Sequence, residues 1–114
     1  METKSKPLVW VHGEVKSPPF SPAARQEAGE MLRLLQSGES LAMPHSRPMP
    51  SIGPGCHELR IVDVSRSWRI VYCIRPEAIV VLCVFQKTTQ TTPVHIIVAC
   101  KRRLRGYDEF TGDR

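Results

Sequence analysis

Three apolar runs crowded into the second half of the chain constrain its fold more than any other feature. Residues 56–64, 68–74 and 78–85 are each of strand length and rich in β-branched and aromatic side chains. Only residues 65–67 and 75–77 separate them, too few for a crossover helix, so the runs predict an antiparallel meander. The first alternates imperfectly, Leu59 and Ile61 against Glu58, Arg60 and Asp63, which leaves room for a bulge there. The third is apolar throughout, the pattern of a strand covered on both faces.

Cover for that sheet comes from two helical patterns. Ser21-Pro22 is an N-cap followed by proline at the first helical position. Ala24, Ala28, Met31 and Leu35 then recur on one face, and Gly38 is a stop. Thr92-Pro93 repeats the start signal, with Val94, Ile97, Val98, Lys101 and Leu104 marking a second helical face. Residues 8–15 read as an N-terminal strand ended by Pro18 and Pro19. Residues 41–55 hold Pro44, Pro48, Pro50 and Pro54 and predict a long irregular connection, because each proline removes a donor and fixes φ. The order β, α, loop, β, β, β, α is α+β, with helices packed on an antiparallel sheet. At 114 residues a single domain over 1–114 is expected, with flexible tails at 1–7 and 108–114.

The longest apolar run, eight residues from Ala78, is far short of the ~20 that a membrane helix needs. The N-terminus lacks the apolar core of a secretory signal, so a cytoplasmic location is expected. Cys56, Cys73, Cys83 and Cys100 have no metal-knuckle or redox spacing and read as buried structural thiols. Cys56 and His57 are adjacent but have no further ligand near them in sequence, so neither metal nor cofactor is expected.

Charge narrows the chemistry. Between His45 and Arg105 stand ten Lys or Arg against three acids, Glu58, Asp63 and Glu77, while the whole chain carries only +5. A basic half on a small domain predicts a polyanionic partner, or simply a well-solvated surface. There is no Gly-rich phosphate loop, no nucleophile elbow and no set of carboxylates able to hold two metal ions. What remains is cations on strands: Arg60, Arg69 and Lys87, with Arg66 in the turn between the first two. Each either faces solvent, pairs with an acid such as Glu58, or serves an anionic ligand. RNA can be cleaved without metal, because the 2′-OH is an internal nucleophile. The protein then supplies a proton acceptor and cations around the phosphorane. A lysine among arginines has a lowered pKa and is a usable base.

These residues carry a resemblance. Glu58-Leu59-Arg60, then Trp68-Arg69-Ile70-Val71-Tyr72, then a hydrophobic strand followed by Lys87, Thr89 and Thr92-Pro93 and a basic helix, resembles the RelE/HigB toxin superfamily, in its phage-derived, HigB-like branch. The resemblance covers roughly residues 8–107, nearly the whole chain. Thr88 and Thr91 stand where that pattern has lysines. The resemblance implies a RelE-like fold and a type II toxin that cleaves mRNA on the ribosome, held by rRNA phosphates and neutralised by a helix-turn-helix antitoxin. It implies Arg60, Arg69 and Lys87 as the catalytic set. Arg66, Thr89, Lys101, Arg102, Arg103 and His57 become RNA-binding candidates, His57 with a possible acid–base role. Two other readings remain open on the same fold: a ParE-like inhibitor of DNA gyrase, and a non-catalytic prophage protein that binds nucleic acid.

Overall fold

The computed structural model describes residues 5–11, 20–64, 66–88 and 90–112. Its elements are β1 (Leu8–Trp10), α1 (Pro22–Gln36), β2 (Ser46–Pro48), β3 (Cys56–Val62), β4 (Ser67–Ile74), β5 (Ile79–Lys87) and α2 (Val94–Thr111). The five strands form one sheet in the order β1-β5-β4-β3-β2. The class is α+β, as expected, with the meander β3-β4-β5 at its centre.

The helices cover opposite faces. On one, Ala24, Ala28, Met31, Leu32 and Leu35 of α1 pack on Leu59, Ile61, Trp68, Ile70, Tyr72, Ile79 and Val81. On the other, Cys100, Leu104 and Tyr107 of α2 join Cys56, Val71, Cys73, Val80, Leu82 and Cys83. All four cysteines are therefore buried on the α2 face, and none is bridged. α1 begins as its sequence predicts: Ser21 Oγ accepts from the Ala24 amide at 3.1 Å, and Gly38 leaves the helix at φ 97°.

Several expectations are corrected. The sheet is mixed, because β1 pairs in parallel with β5 instead of extending the antiparallel order. That strand ends at Trp10, and the remainder of the expected segment, residues 12–15, lies outside the described residues. The proline-rich connection does contain a strand: β2 pairs with β3 through Arg47↔Glu58. Proline is tolerated there because β2 is an edge strand with one unpaired side. The bulge lies in β5, not in β3. Val71 pairs with Cys83 and Tyr72 with Val81, so Leu82 is the extra residue. The second helix continues through Gly106 to Thr111, where the polar tail was expected to fray. Tyr107 is buried and donates to Glu77 at 2.6 Å, and Asp108 holds Arg75 at 2.7 and 3.1 Å, which docks the last turns. The buried stripe of α2 is also rotated from the expected face, leaving Val94, Val98 and Lys101 exposed.

Candidate functional site

Side chains alternate across a strand, so the parity of each cation decides its face. Glu58 and Arg60 share the parity of Cys56, and Arg69 that of Val71 and Cys73. Arg47 shares that of Met49, and all of these reference residues belong to the α2-side core. Lys87 reaches the same face only because of the bulge. Before it, Ile79 and Val81 face α1. After it, Val84 faces α1, while Cys83 and Phe85 face α2. The shift of one residue carries Lys87 across with Phe85.

Four adjacent strands thus deliver Arg47, Arg60, Arg69 and Lys87 to one patch around a single acid. Arg47 lies opposite Glu58, Arg60 opposite Arg69, and Lys87 opposite Ser67, two residues from Arg69. Glu58 is wholly buried, and its two oxygens are divided. Oε1 takes Arg47 Nη2 at 3.3 Å and Arg69 Nε at 3.5 Å; Oε2 accepts from the Thr92 hydroxyl at 2.6 Å. The Arg69 contact is an ion pair without a hydrogen bond. Thr92 is not the helix cap its sequence suggests. Pro93 occupies the cap, with no side-chain hydrogen bond, while Thr92 turns inward to Glu58. The uncapped N-terminus of α2 adds its positive dipole end near the cluster.

One carboxylate does not balance four cations. Like charges facing across β3 and β4, Arg60 on Arg69, are destabilising without a counter-charge. Burial, then the nearby Arg60 charge, lowers the Arg69 pKa, with Glu58 opposing the change. Burial also lowers the Lys87 pKa, and the Arg69, Arg47 and Arg60 charges push the same way against Glu58. The Nε–H groups of Arg47, Arg60 and Arg69 are buried without a hydrogen-bond acceptor among the described residues. Each such donor costs about 1–3 kcal/mol, so the convergence of cations on this face is held at a cost in stability.

The other candidates are dispersed. His57 lies on the opposite face, its ring stacked on Tyr72 at 5.4 Å and its Nδ1 3.1 Å from the Gly55 carbonyl oxygen. It borders a cavity of about 260 Å3 formed with Pro48, Pro50 and residues 53–56. Arg66 is exposed in the turn beside Ser67. Thr89 lies outside the described residues. Lys101 and Arg102 are exposed on α2, about two turns beyond its start. Arg103 donates to the Leu82 carbonyl at 2.8 Å, satisfying the bulge itself. The sequence reading missed Arg47 as a site residue, and with it the central place of Glu58 and Thr92. A cation between prolines gave no strand signal, so nothing indicated that Arg47 would face Glu58.

Compared with known protein families, residues 19–105 match the family described as phage-derived protein Gp49-like (DUF891). The chain belongs to that family. It is a family of toxin–antitoxin type, RelE/HigB-like, and the match spans α1, the whole meander and most of α2. No curated protein and no solved structure gave a significant match. Among the described residues, no helix is long and apolar enough to cross a membrane, and no group of three or more His, Cys, Asp or Glu could hold a metal ion.

Proposed function

We propose that this Gp49-like protein is the toxin of a type II toxin–antitoxin pair and cleaves translating mRNA on the ribosome without a metal ion. The observation that carries the reading is the convergence of Lys87 and the guanidinium forks of Arg60 and Arg69 on one patch that holds a single acid, Glu58. Phosphate oxygens match those forks in geometry and charge. In the proposed reaction Lys87, its pKa lowered by burial, takes the 2′-OH proton in its neutral form. The 2′-oxygen bonds to phosphorus, Arg60 and Arg69 hold the phosphorane oxygens, and the bond to the 5′-oxygen breaks. The departing oxygen takes a proton from water, leaving a 2′,3′-cyclic phosphate and a 5′-OH. Exposed Arg66, Lys101 and Arg102 serve as contacts to rRNA or mRNA phosphates. The family's toxin–antitoxin type supports a cognate antitoxin as partner.

Protein synthesis after induced expression tests the reading, with mRNA ends mapped by primer extension. Wild type should arrest labelling and generate new mRNA 5′ ends; Lys87→Ala with Arg69→Ala should do neither. Equal toxicity of the double variant would refute the site. The position of His57, turned to the other face away from the cations, favours a second reading in which the patch binds nucleic acid without cutting it. Arrest with intact mRNA would support that alternative, and arrest with a supercoiling defect would support gyrase as target.

A further inference from the structure

We propose that Arg47 forms a second phosphate subsite beside the Arg60–Arg69–Lys87 patch, with Glu58 as the positioning residue that aims it. This rests on the RNA-directed reading above and extends it to the edge strand β2. Arg47 is held by one corner only. Its Nη2 makes three long contacts, to Glu58 Oε1 at 3.3 Å, Thr92 Oγ1 at 3.4 Å and Met49 Sδ at 3.6 Å. Its Nε is buried without an acceptor, and among the described residues no acceptor meets Nη1.

An arginine retained to neutralise Glu58 would present its planar fork to both carboxylate oxygens. That arrangement is blocked here, because Thr92 takes Oε2 and Arg69 shares Oε1. The contacts fix where the guanidinium sits and leave most of its five donors unused. Its side chain is 36% exposed, against 9% for Arg69, so it stands at the open margin of the patch. The patch sets Arg47, Arg60, Arg69 and Lys87 against Glu58, an excess of three positive charges with Lys87 protonated and of two with it neutral, in either case more than a single phosphodiester neutralises. A phosphate next to the one at Arg60 and Arg69 on the same strand supplies the further negative charge.

The test uses a short, fully 2′-O-methylated RNA, whose blocked hydroxyl prevents cleavage, and fluorescence anisotropy at a series of salt concentrations. Arg47→Ala should weaken binding about tenfold and flatten the slope of log affinity against log salt by about one. Arg33→Ala removes the same charge from α1, on the opposite side of the sheet, and should change neither. Arg47→Lys should recover the slope but only part of the affinity, because it keeps the charge and loses the fork. Glu58→Gln makes the patch more positive by one. A face acting through net charge alone would then bind more tightly, whereas a positioning role predicts weaker binding.

Arg47→Ala behaving like Arg33→Ala would overturn the subsite, and tighter binding by Glu58→Gln would overturn the positioning role. Should Glu58→Gln fail to fold, the comparison of Arg47→Ala with Arg33→Ala decides the subsite alone. If the predicted binding pattern is found but unmodified mRNA stays intact, the cleavage reading falls and the subsite stands. If cleavage is found and Arg47→Ala binds normally, the reverse holds.

Discussion

The pairing of Glu58 with Arg69 is open to a double-mutant cycle. Glu58 is fully buried and Arg69 is 7% exposed, so removing the acid leaves a buried guanidinium facing Arg60 with its ion-pair partner gone. Breaking a buried pair from one side costs about 3–5 kcal/mol, and Glu58→Gln belongs at the lower end, about 3, because an amide still accepts and donates hydrogen bonds. Arg69→Met should cost less, about 2 kcal/mol, since Glu58 keeps Arg47 and Thr92. The double variant leaves no unpaired charge between the two positions. It should cost about 3 kcal/mol rather than the additive value of about 5, a coupling of about 2. Urea unfolding followed by fluorescence of Trp68, buried against Phe20, reads each cost as a lower midpoint at unchanged slope. At a slope of about 1.5–2 kcal/mol per molar, Glu58→Gln should unfold roughly 1.5–2 M earlier. Additive costs would refute the reasoning, because they would mean that Glu58 does not compensate the Arg69 charge.

Three other outcomes follow from the same structure. Asp108→Ala removes the two contacts to Arg75 and should cost about 2 kcal/mol in a urea melt, with faster amide exchange in the last turns of α2 if that pair docks them. Asp63 accepts from the Ser21 and Val64 amides, the Ser21 bonds being the main reason that its pKa lies below the usual 3.8. Its stabilising effect is present above that value and lost as pH falls through the lowered one. Thermal melts of wild type and Asp63→Asn should therefore differ at neutral pH and converge in acid. The lowered pKa of Lys87 means that its base form grows as pH rises through that value. Cleavage should rise with pH and level off below the ordinary 10.5, and Lys87→Arg should abolish the rise. Over the window between the lowered value and 10.5 the unfolded chain binds more proton, so stability also rises with pH.

The elements of this fold are written in local signals. Apolar runs of strand length separated by short turns specify the meander, and a Ser-Pro start with a four-three-four apolar stripe specifies α1, because both depend on neighbours within a few residues. The excess of ten cations over three acids between His45 and Arg105 was equally plain, as a composition without a place. What the sequence could not convey is which face each cation meets. Leu82 looks like any other residue of an apolar run, yet as the extra residue of a bulge it reverses the parity of everything after it and brings Lys87 to Arg69. Prolines hid β2, whose strand character depends on an open sheet edge rather than on propensity. Thr92 reads as a cap and acts as a ligand to Glu58, a choice set by a carboxylate 34 residues away. His57 was drawn to the site by its chemistry and removed from it by alternation. The sequence by itself determined the class of fold, the order of its elements apart from β2, and the positive charge that calls for a polyanion, because these are local or additive properties. The tertiary structure alone decided that Arg47, Arg60, Arg69 and Lys87 surround Glu58, because register, bulge and edge pairing arise between strands and leave no mark within any one of them.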